Sequence, residues 1–517
     1  MRTKLVDQPG TGVHALYAIR CARRPHPRRV GAPEPRDPRR LRAVRDRRDA
    51  RGEPRDRGRR GGPAERRRRP LPAAGAGTRG RPRHRPRARR RRQRRRARAV
   101  RLDRRRQRRP LGPARRPGAA GPAGLRVRPR DAGAVQPRTR VTHDDRPARE
   151  RAIPEIRFGT STGFALGVEE ELLLVDPVTH ALSHTAVETL ERLVVPAGAG
   201  SAHPDTYAAL VEFASPVSAT AVDGVGALDR LRAALRATGA TAIGAGIHPD
   251  GARGDVVHHP APRYAAIHDQ LRGLLRRTPT AALHVHVGMP DAEAAIRACT
   301  ALRELLPLLQ ALAAASPWWH GADSGLQSAR AQLFRGYPRA DIPRAWSSFE
   351  DYVDDVVAVV QAGDLPDYTF LWADLRPHPR LGTVEVRAMD AQPSLRDALG
   401  LTALVRAVAA QGAREGGPWP VPSTREALEE SSFRAARDGL AATLWHDGAL
   451  RPVPEIARWW TARVRDVAAE LGDADALAEI ERLLRDGGSA DRQRAAHARG
   501  GMPALLAHLA AETETPL

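Results

Sequence analysis

Four stretches of the chain alternate apolar and ionisable residues with a period of two: Ala165 to Val175, Ala209 to Ala214, Ala281 to Gly288 and Gly382 to Met389. That period predicts strands with one apolar and one charged face. Glu169 and Glu171 fall together in the first run. Glu212 opposes Val211 and Phe213 in the second, His284 and His286 oppose Leu283, Val285 and Val287 in the third, and Glu385 and Arg387 oppose Val384 and Val386 in the fourth. Glu170 points the other way, as at a point where the strand leaves the sheet. Apolar residues at helical spacing predict helices over about 222–238, 262–276, 291–315, 425–446 and 453–485. Further starts resemble capping boxes at Ser347 to Glu350, Ser394 to Asp397 and Ser423 to Glu426, and Gly363 and Gly412 stand where helices would stop. Strands joined by long, variable connections, with helices gathered toward the C-terminus, predict an α+β fold: a mainly antiparallel sheet with one ionisable face, covered by helices.

Composition changes this picture only at the N-terminus. Residues 1–150 hold about 51 of the 86 Lys and Arg but about 13 of the 59 Asp and Glu, roughly +38 against about −11 for the rest. The formal charge of +27 therefore describes the leader and not the body. Residues 1–155, rich in Arg, Pro, Gly and Ala, read as a disordered leader, with 156–517 as the catalytic domain. GC-rich codons serve all four residue types, so the leader reads as a mistranslated stretch or an over-extended start in preference to a polyanion-binding tail or a targeting peptide. Two cysteines cannot build a disulfide framework, and Cys299 reads as core. No secretory signal and no apolar span of about 18 residues is visible, so the expected location is cytoplasmic.

The only lysine is Lys4. A Walker A loop, a protein-kinase site and a Schiff base each need a lysine, so the body uses none of them. Phosphates handled here must meet arginines, metal ions or backbone amides.

An antiparallel sheet often has one solvated face, which explains any one charged strand face taken singly. Four such faces bearing Glu and His, in place of Lys, Thr and Ser, point elsewhere. Carboxylates about 4 Å apart repel by roughly 4 kcal/mol at an effective dielectric near 20, and divalent cations convert that repulsion into binding. Oxygen donors with one imidazole favour Mg²⁺ or Mn²⁺, although the His-x-His pair also suits a zinc hydrolase. Arg330 and Arg335 follow the Gly/Ser-rich loop 320–330, and Arg376, Arg380 and Arg387 flank the fourth run. They are candidate clamps for phosphate or carboxylate, with surface ion pairing as the alternative.

The segments FALGVEEELLLVDP (164–177), ALHVHVGMPD (282–291), SPWWHGADSGLQSARAQLF (316–334), PDYTFLWADLRPHPRLGTVEVRAMDAQPS (366–394) and FRAARDGL (433–440) resemble, in order, the carboxylate–amine ligase family related to glutamate–cysteine ligase, type 2 branch. The resemblance covers roughly 157–510. It implies a catalytic sheet like that of glutamine synthetase and the guanido kinases. It implies ATP with Mg²⁺ (or Mn²⁺) and ADP-forming amide synthesis through an acyl phosphate, with weak glutamate–cysteine ligase activity. Matched motif by motif, Glu169, Glu171, Glu212, His284 and Glu385 become metal ligands. Arg330 and Arg387 become catalytic clamps, joined by Arg335 and Arg376 on the nucleotide. One departure stands out: Ser431 and Ser432 precede FRAARDGL where relatives usually carry an Asn-containing segment. The partners implied are a small carboxylate such as glutamate and an amine such as cysteine. No membrane partner is expected, nucleic acid would bind only non-specifically through the leader, and homo-oligomerisation stays open. The rival functions are a phosphotransferase on the same sheet, a nucleic-acid-binding protein acting through the leader, and a zinc hydrolase.

Overall fold

In the computed structural model the described residues are 146–161, 163–415, 420 and 422–517. The chain clusters into two units, and the second, Ala22–Thr139, lies outside the described residues, as do the leader readings for residues 1–145.

The first described element, α1 (Arg146–Ala152), falls inside the stretch read as leader. Local and long-range contacts hold it: Arg146 pairs with Glu150 one turn on, Ala152 and Ile153 are buried, and Arg149 bonds Asp354 at 2.6 Å. Helical structure thus begins before residue 156, the expected start of the body.

Next come β1 (Leu166–Val175), α2 (Ala186–Arg192), β2 (Ser201–Pro204), β3 (Leu210–Ala214), α3 (Ala221–Ala237), β4 (Thr241–Ile243), α4 (Pro262–Leu271), β5 (Ala282–Gly288) and α5 (Ala292–Leu312). A short hairpin, β6 (Trp318–Trp319) and β7 (Ala322–Asp323), leads to α6 (Ala329–Phe334), α7 (Phe349–Ala362), β8 (Leu375–His378), β9 (Thr383–Asp390) and α8 (Leu395–Glu415). Helix α9 (Arg425–Asp438), the hairpin β10 (Thr443–His446) and β11 (Ala449–Pro452), and helices α10 (Val453–Arg463), α11 (Arg465–Glu470), α12 (Ala474–Asp486) and α13 (Ser489–Glu514) complete the body.

The main sheet has seven strands in the order β2-β3-β1-β5-β9-β8, with β4 added to the end of β1, and every pairing is antiparallel. Its apolar face, including Leu166, Val168, Leu172, Val285, Val287 and Val386, shares one core with α3, α5 and α8. The expected α+β class with helices over an antiparallel sheet is the observed one.

Local departures have identifiable causes. Ser348 and Thr424, one residue past the expected serines, cap α7 and α9 by accepting from Asp351 N and Ala427 N. Gly412 does not end a helix; it lies within α8, where a Cβ would come 2.7 Å from Ala301 Cβ, so it permits close packing on α5. The helix expected over 425–446 stops at Gly439, whose φ of +55° suits glycine, and the chain turns into β10. The stretch 453–485 is three helices, not one.

Candidate functional site

Register decides which charges meet. Glu171 stands directly across from Glu212, and Glu212 in turn from His203 on the edge strand β2. Asp205 follows β2 immediately. Glu171, Asp205 and Glu212 each bring a carboxylate oxygen to within 4.8 Å of the others, in a geometry that could hold a metal ion. One oxygen of Glu171 accepts from the Ala282 amide at 2.7 Å.

Crowding shows in the acidities. Burial, with the Asp205 charge beside it, pushes the Glu171 carboxyl up to about 8. Burial and the charges of Glu169, Asp205 and Glu171 hold Glu212 well above the usual range, and burial raises Asp205. Three carboxyls that resist ionising together are a site short of positive charge.

Glu169 faces His284 across β1 and β5. One of its oxygens is 3.3 Å from His284 Nδ1, and the other is 3.6 Å from His286 Nε2. Although burial opposes ionisation of Glu169, His286 and His284 outweigh it and keep its carboxyl well below the ordinary value. His284 also lies 3.8 Å from Glu171, while His286 reaches Glu385 at 3.8 Å and Thr383 Oγ1 at 3.0 Å. Burial, reinforced by Arg387, lowers His284 to about 4, so it is a neutral imidazole.

Beyond His286 the face turns basic. Glu385 accepts from Arg376 Nε at 2.6 Å and, through its other oxygen, from Arg387. Burial is overcome by these two guanidinium groups, and Glu385 stays well below the usual carboxylate range. Both its oxygens are thus engaged by arginine, apart from the crowded trio. A register shift in the β5–β9 pairing leaves His284 opposed by both Arg387 and Ala388. Alternation resumes one residue later, so Met389 enters the apolar core and Asp390 joins the charged side, where it lies 3.7 Å from Arg330 NH1. Arg330 also reaches the Arg387 carbonyl at 3.4 Å. Arg335, at the end of α6, pairs with Asp341 and lies 3.7 Å from Asp374. The Nε atoms of Arg330, Arg335 and Arg387 are buried without a hydrogen-bond partner. Arg380 sits in the turn between β8 and β9, with its amide on the Tyr368 hydroxyl.

Two contributors escape sequence reading. Asp205 follows a four-residue strand containing Pro204, too short and too irregular to show alternation, although it is two residues from His203. Asp390 reaches the charged side only because of the bulge. Glu170, expected where the strand leaves the sheet, is mid-strand: it pairs in register with Phe213 and Leu283 and is buried against Arg232 on the helix-covered face.

The description of glutamate–cysteine ligase family 2 matches residues 165–508. The chain belongs to that family. A glutamate–cysteine ligase 2-type protein of Rubrobacter xylanophilus is 37% identical over 69% of this chain and 99% of its own length, and one of Gloeobacter violaceus is 32% identical over 70% and 100%. Glutamate–cysteine ligase from Francisella tularensis, solved in complex with AMP, shares the fold at 13% identity, with a TM-score of 0.50 over 68% of this chain and 89% of that one.

Ser431 and Ser432 divide two tasks. Ser431 Oγ accepts from the Trp445 amide at 2.9 Å, which fastens β10 to α9. Ser432 Oγ accepts from Arg335 at 2.6 Å and donates to Gln310, so α9 reaches the arginine cluster through this hydroxyl.

Proposed function

We propose that this chain is an ATP-dependent carboxylate–amine ligase that forms ADP and an amide by way of an acyl phosphate, with glutamate and cysteine as the first substrates to test. The convergence of Glu171, Asp205 and Glu212 beside an arginine cluster carries this reading. Three oxygen donors whose carboxyls resist simultaneous ionisation fit a hard divalent cation such as Mg²⁺ or Mn²⁺ better than zinc. These three would hold it, with Glu169 and His284 adjoining. Such a cation supplies positive charge to the triphosphate and relieves the carboxylate repulsion.

The chain's own groups do the rest. In the first step a carboxylate oxygen of the acid bonds to the γ-phosphorus while the bond to the β,γ-bridging oxygen breaks and ADP leaves. In the second, the amine nitrogen bonds to the acyl carbon, phosphate leaves with the C–O electron pair, and the nitrogen gives up a proton to solvent. Both steps demand positioning and charge neutralisation and need no protein nucleophile. Arg330 and Arg387, together with Arg335 and Arg376, would neutralise transferring phosphate or substrate carboxylate. His284, kept neutral, can accept a hydrogen bond or ligate without adding charge. The body is lysine-free, so arginine is the available cationic side chain.

The decisive measurement supplies the protein with ATP, MgCl₂, L-glutamate and L-cysteine, then with pools of other acids and amines, and follows ADP release and product mass. Amine-dependent ADP release with a new amide supports the ligase. ADP release at full rate without any amine, yielding a phosphorylated acid or guanidine, would establish the phosphotransferase instead.

A further inference from the structure

Asp390 lies within the segment 366–394 without being one of the candidate site residues read from it, yet a buried network converges on it. One carboxylate oxygen accepts from the Ala315 amide at 2.9 Å and Ser316 Oγ at 2.7 Å, and the other accepts from Ser328 Oγ at 2.9 Å. These contacts fasten both ends of the segment 315–328, which contains most of the Gly/Ser-rich loop, to the last residue of β9. Ser316 Oγ also accepts from the Arg330 amide at 3.1 Å, and Ser328 caps α6 through the Ala331 amide at 3.1 Å. Asp390 thereby fixes the backbone that carries Arg330.

Its charge acts on the side chain as well. Arg330 NH1 lies 3.7 Å from Asp390, beyond hydrogen-bond length, with its guanidinium 5.1 Å from the Phe334 ring centre and its Nε buried without a partner. The carboxylate attracts the guanidinium without consuming its donors, which leaves them for an anion. Gly246 preserves this arrangement. A Cβ there would come 2.5 Å from Asp390 Cγ and 2.7 and 2.9 Å from its oxygens, so even alanine would displace the carboxylate.

We propose that Asp390 is a positioning residue for Arg330, with Gly246 as the clearance that keeps it in place. The inference rests on the reading of Arg330 as a clamp for phosphate or substrate carboxylate. Displacing such a group by about 1 Å costs on the order of 100-fold in rate. Asn at position 390 can still accept from Ala315 and Ser316 through its oxygen and donate to Ser328, so Asp390→Asn removes the charge while keeping the loop anchored.

The test compares wild type, Arg330→Gln, Asp390→Asn, Gly246→Ala and the double variant Arg330→Gln/Asp390→Asn. It reads the dissociation constant of Mg·AMP-PNP, ADP release with L-glutamate and L-cysteine, and the thermal midpoint. Asp390→Asn and Gly246→Ala should each reproduce roughly 10- to 100-fold of the Arg330→Gln loss, with the Asp390→Asn midpoint moved by no more than about 4 °C. The double variant should be no worse than Arg330→Gln by more than about twofold, because coupled residues are not additive. Wild-type behaviour of Asp390→Asn beside a defective Arg330→Gln overturns the inference and leaves the ligase reading intact, as does a double variant whose losses multiply. Wild-type behaviour of Arg330→Gln removes Arg330 from the proposed function, and the positioning role falls with it. Should Gly246→Ala not fold, Asp390→Asn and the double variant still decide.

Discussion

Glu170 and its neighbour Glu171 in β1 have the same side chain and are both buried, but they live in opposite electrostatic conditions. On the helix-covered face, Glu170 and Arg232 each have side chains about 2% exposed, and the pair is closed. Arg232 donates to both Glu170 oxygens at 2.6 to 3.1 Å and to the carbonyls of Gln392, Pro393 and Thr513. Arg406 repeats the pattern with Asp473 and the carbonyls of Gly163, Phe164 and Leu471. On the other face Glu171 meets Asp205 and Glu212; among the described residues no arginine forms an ion pair with these three, although the Arg387 charge reaches each of them, and three arginines nearby keep a buried Nε unpartnered. Burial of charge is common to both faces. What separates a structural ion pair from a candidate binding site is whether the donors and acceptors are already used.

Glu170→Gln gives the largest expected effect on the closed side. Stripping the charge from one partner leaves Arg232 uncompensated and should cost about 3–5 kcal/mol of stability, measured by urea unfolding, with turnover per folded molecule unchanged. A mild stability change paired with lost turnover would erase the distinction between the two faces.

On the open side, Asp205→Asn or Glu212→Gln should lower kcat/KM by about 10²–10³-fold while leaving the cation-free protein equally or more stable, since each removes a like charge. Calorimetric Mg²⁺ binding should weaken in parallel. Full turnover in both variants would detach the trio from function.

The acidities provide a graded test. The Glu171 carboxyl at about 8, against an ordinary 4.5, means that the folded state binds its proton more tightly than the unfolded state. The resulting stability is fully present below about pH 4.5 and is lost as pH rises through about 8. Without divalent cation, the thermal midpoint of Glu171→Gln should therefore gain on wild type between pH 5 and pH 8, and saturating Mg²⁺ should narrow the gap as the cation takes the proton's place. A gap independent of pH in cation-free buffer contradicts the crowding.

The smallest effect belongs to Ser432→Ala. Removing the hydroxyl that accepts from Arg335 should raise the KM for Mg·ATP or for the acid by a few fold, about 0.5–1.5 kcal/mol, with kcat nearly unchanged. An unaltered KM for both would leave Arg335 held by Asp341 and Asp374 alone.

Much of this was legible in the residues. The alternation of Glu169, Glu171, Glu212, His284, Glu385 and Arg387 against aliphatic neighbours placed them on one side of a sheet, because side-chain direction in a strand is a local property. The motifs in their order indicated the family by resemblance, and the matching description of residues 165–508 shows it. Asp205 was not legible, since Pro204 and the shortness of β2 hide the period. Neither was the fate of Glu385, whose neutralisation by Arg376 depends on the register between β8 and β9.

Sequence alone determined which side chains share a face, since that follows from backbone geometry one residue at a time. It also determined that no lysine serves the body, which leaves arginines, metal ions and backbone amides for any phosphate. Tertiary structure decided strand order, the bulge that turns Asp390 inward, and which carboxylates crowd and which find a guanidinium. Those outcomes depend on distances between segments far apart in the chain, and electrostatic energy in a dry interior is set by such distances and not by the order of residues.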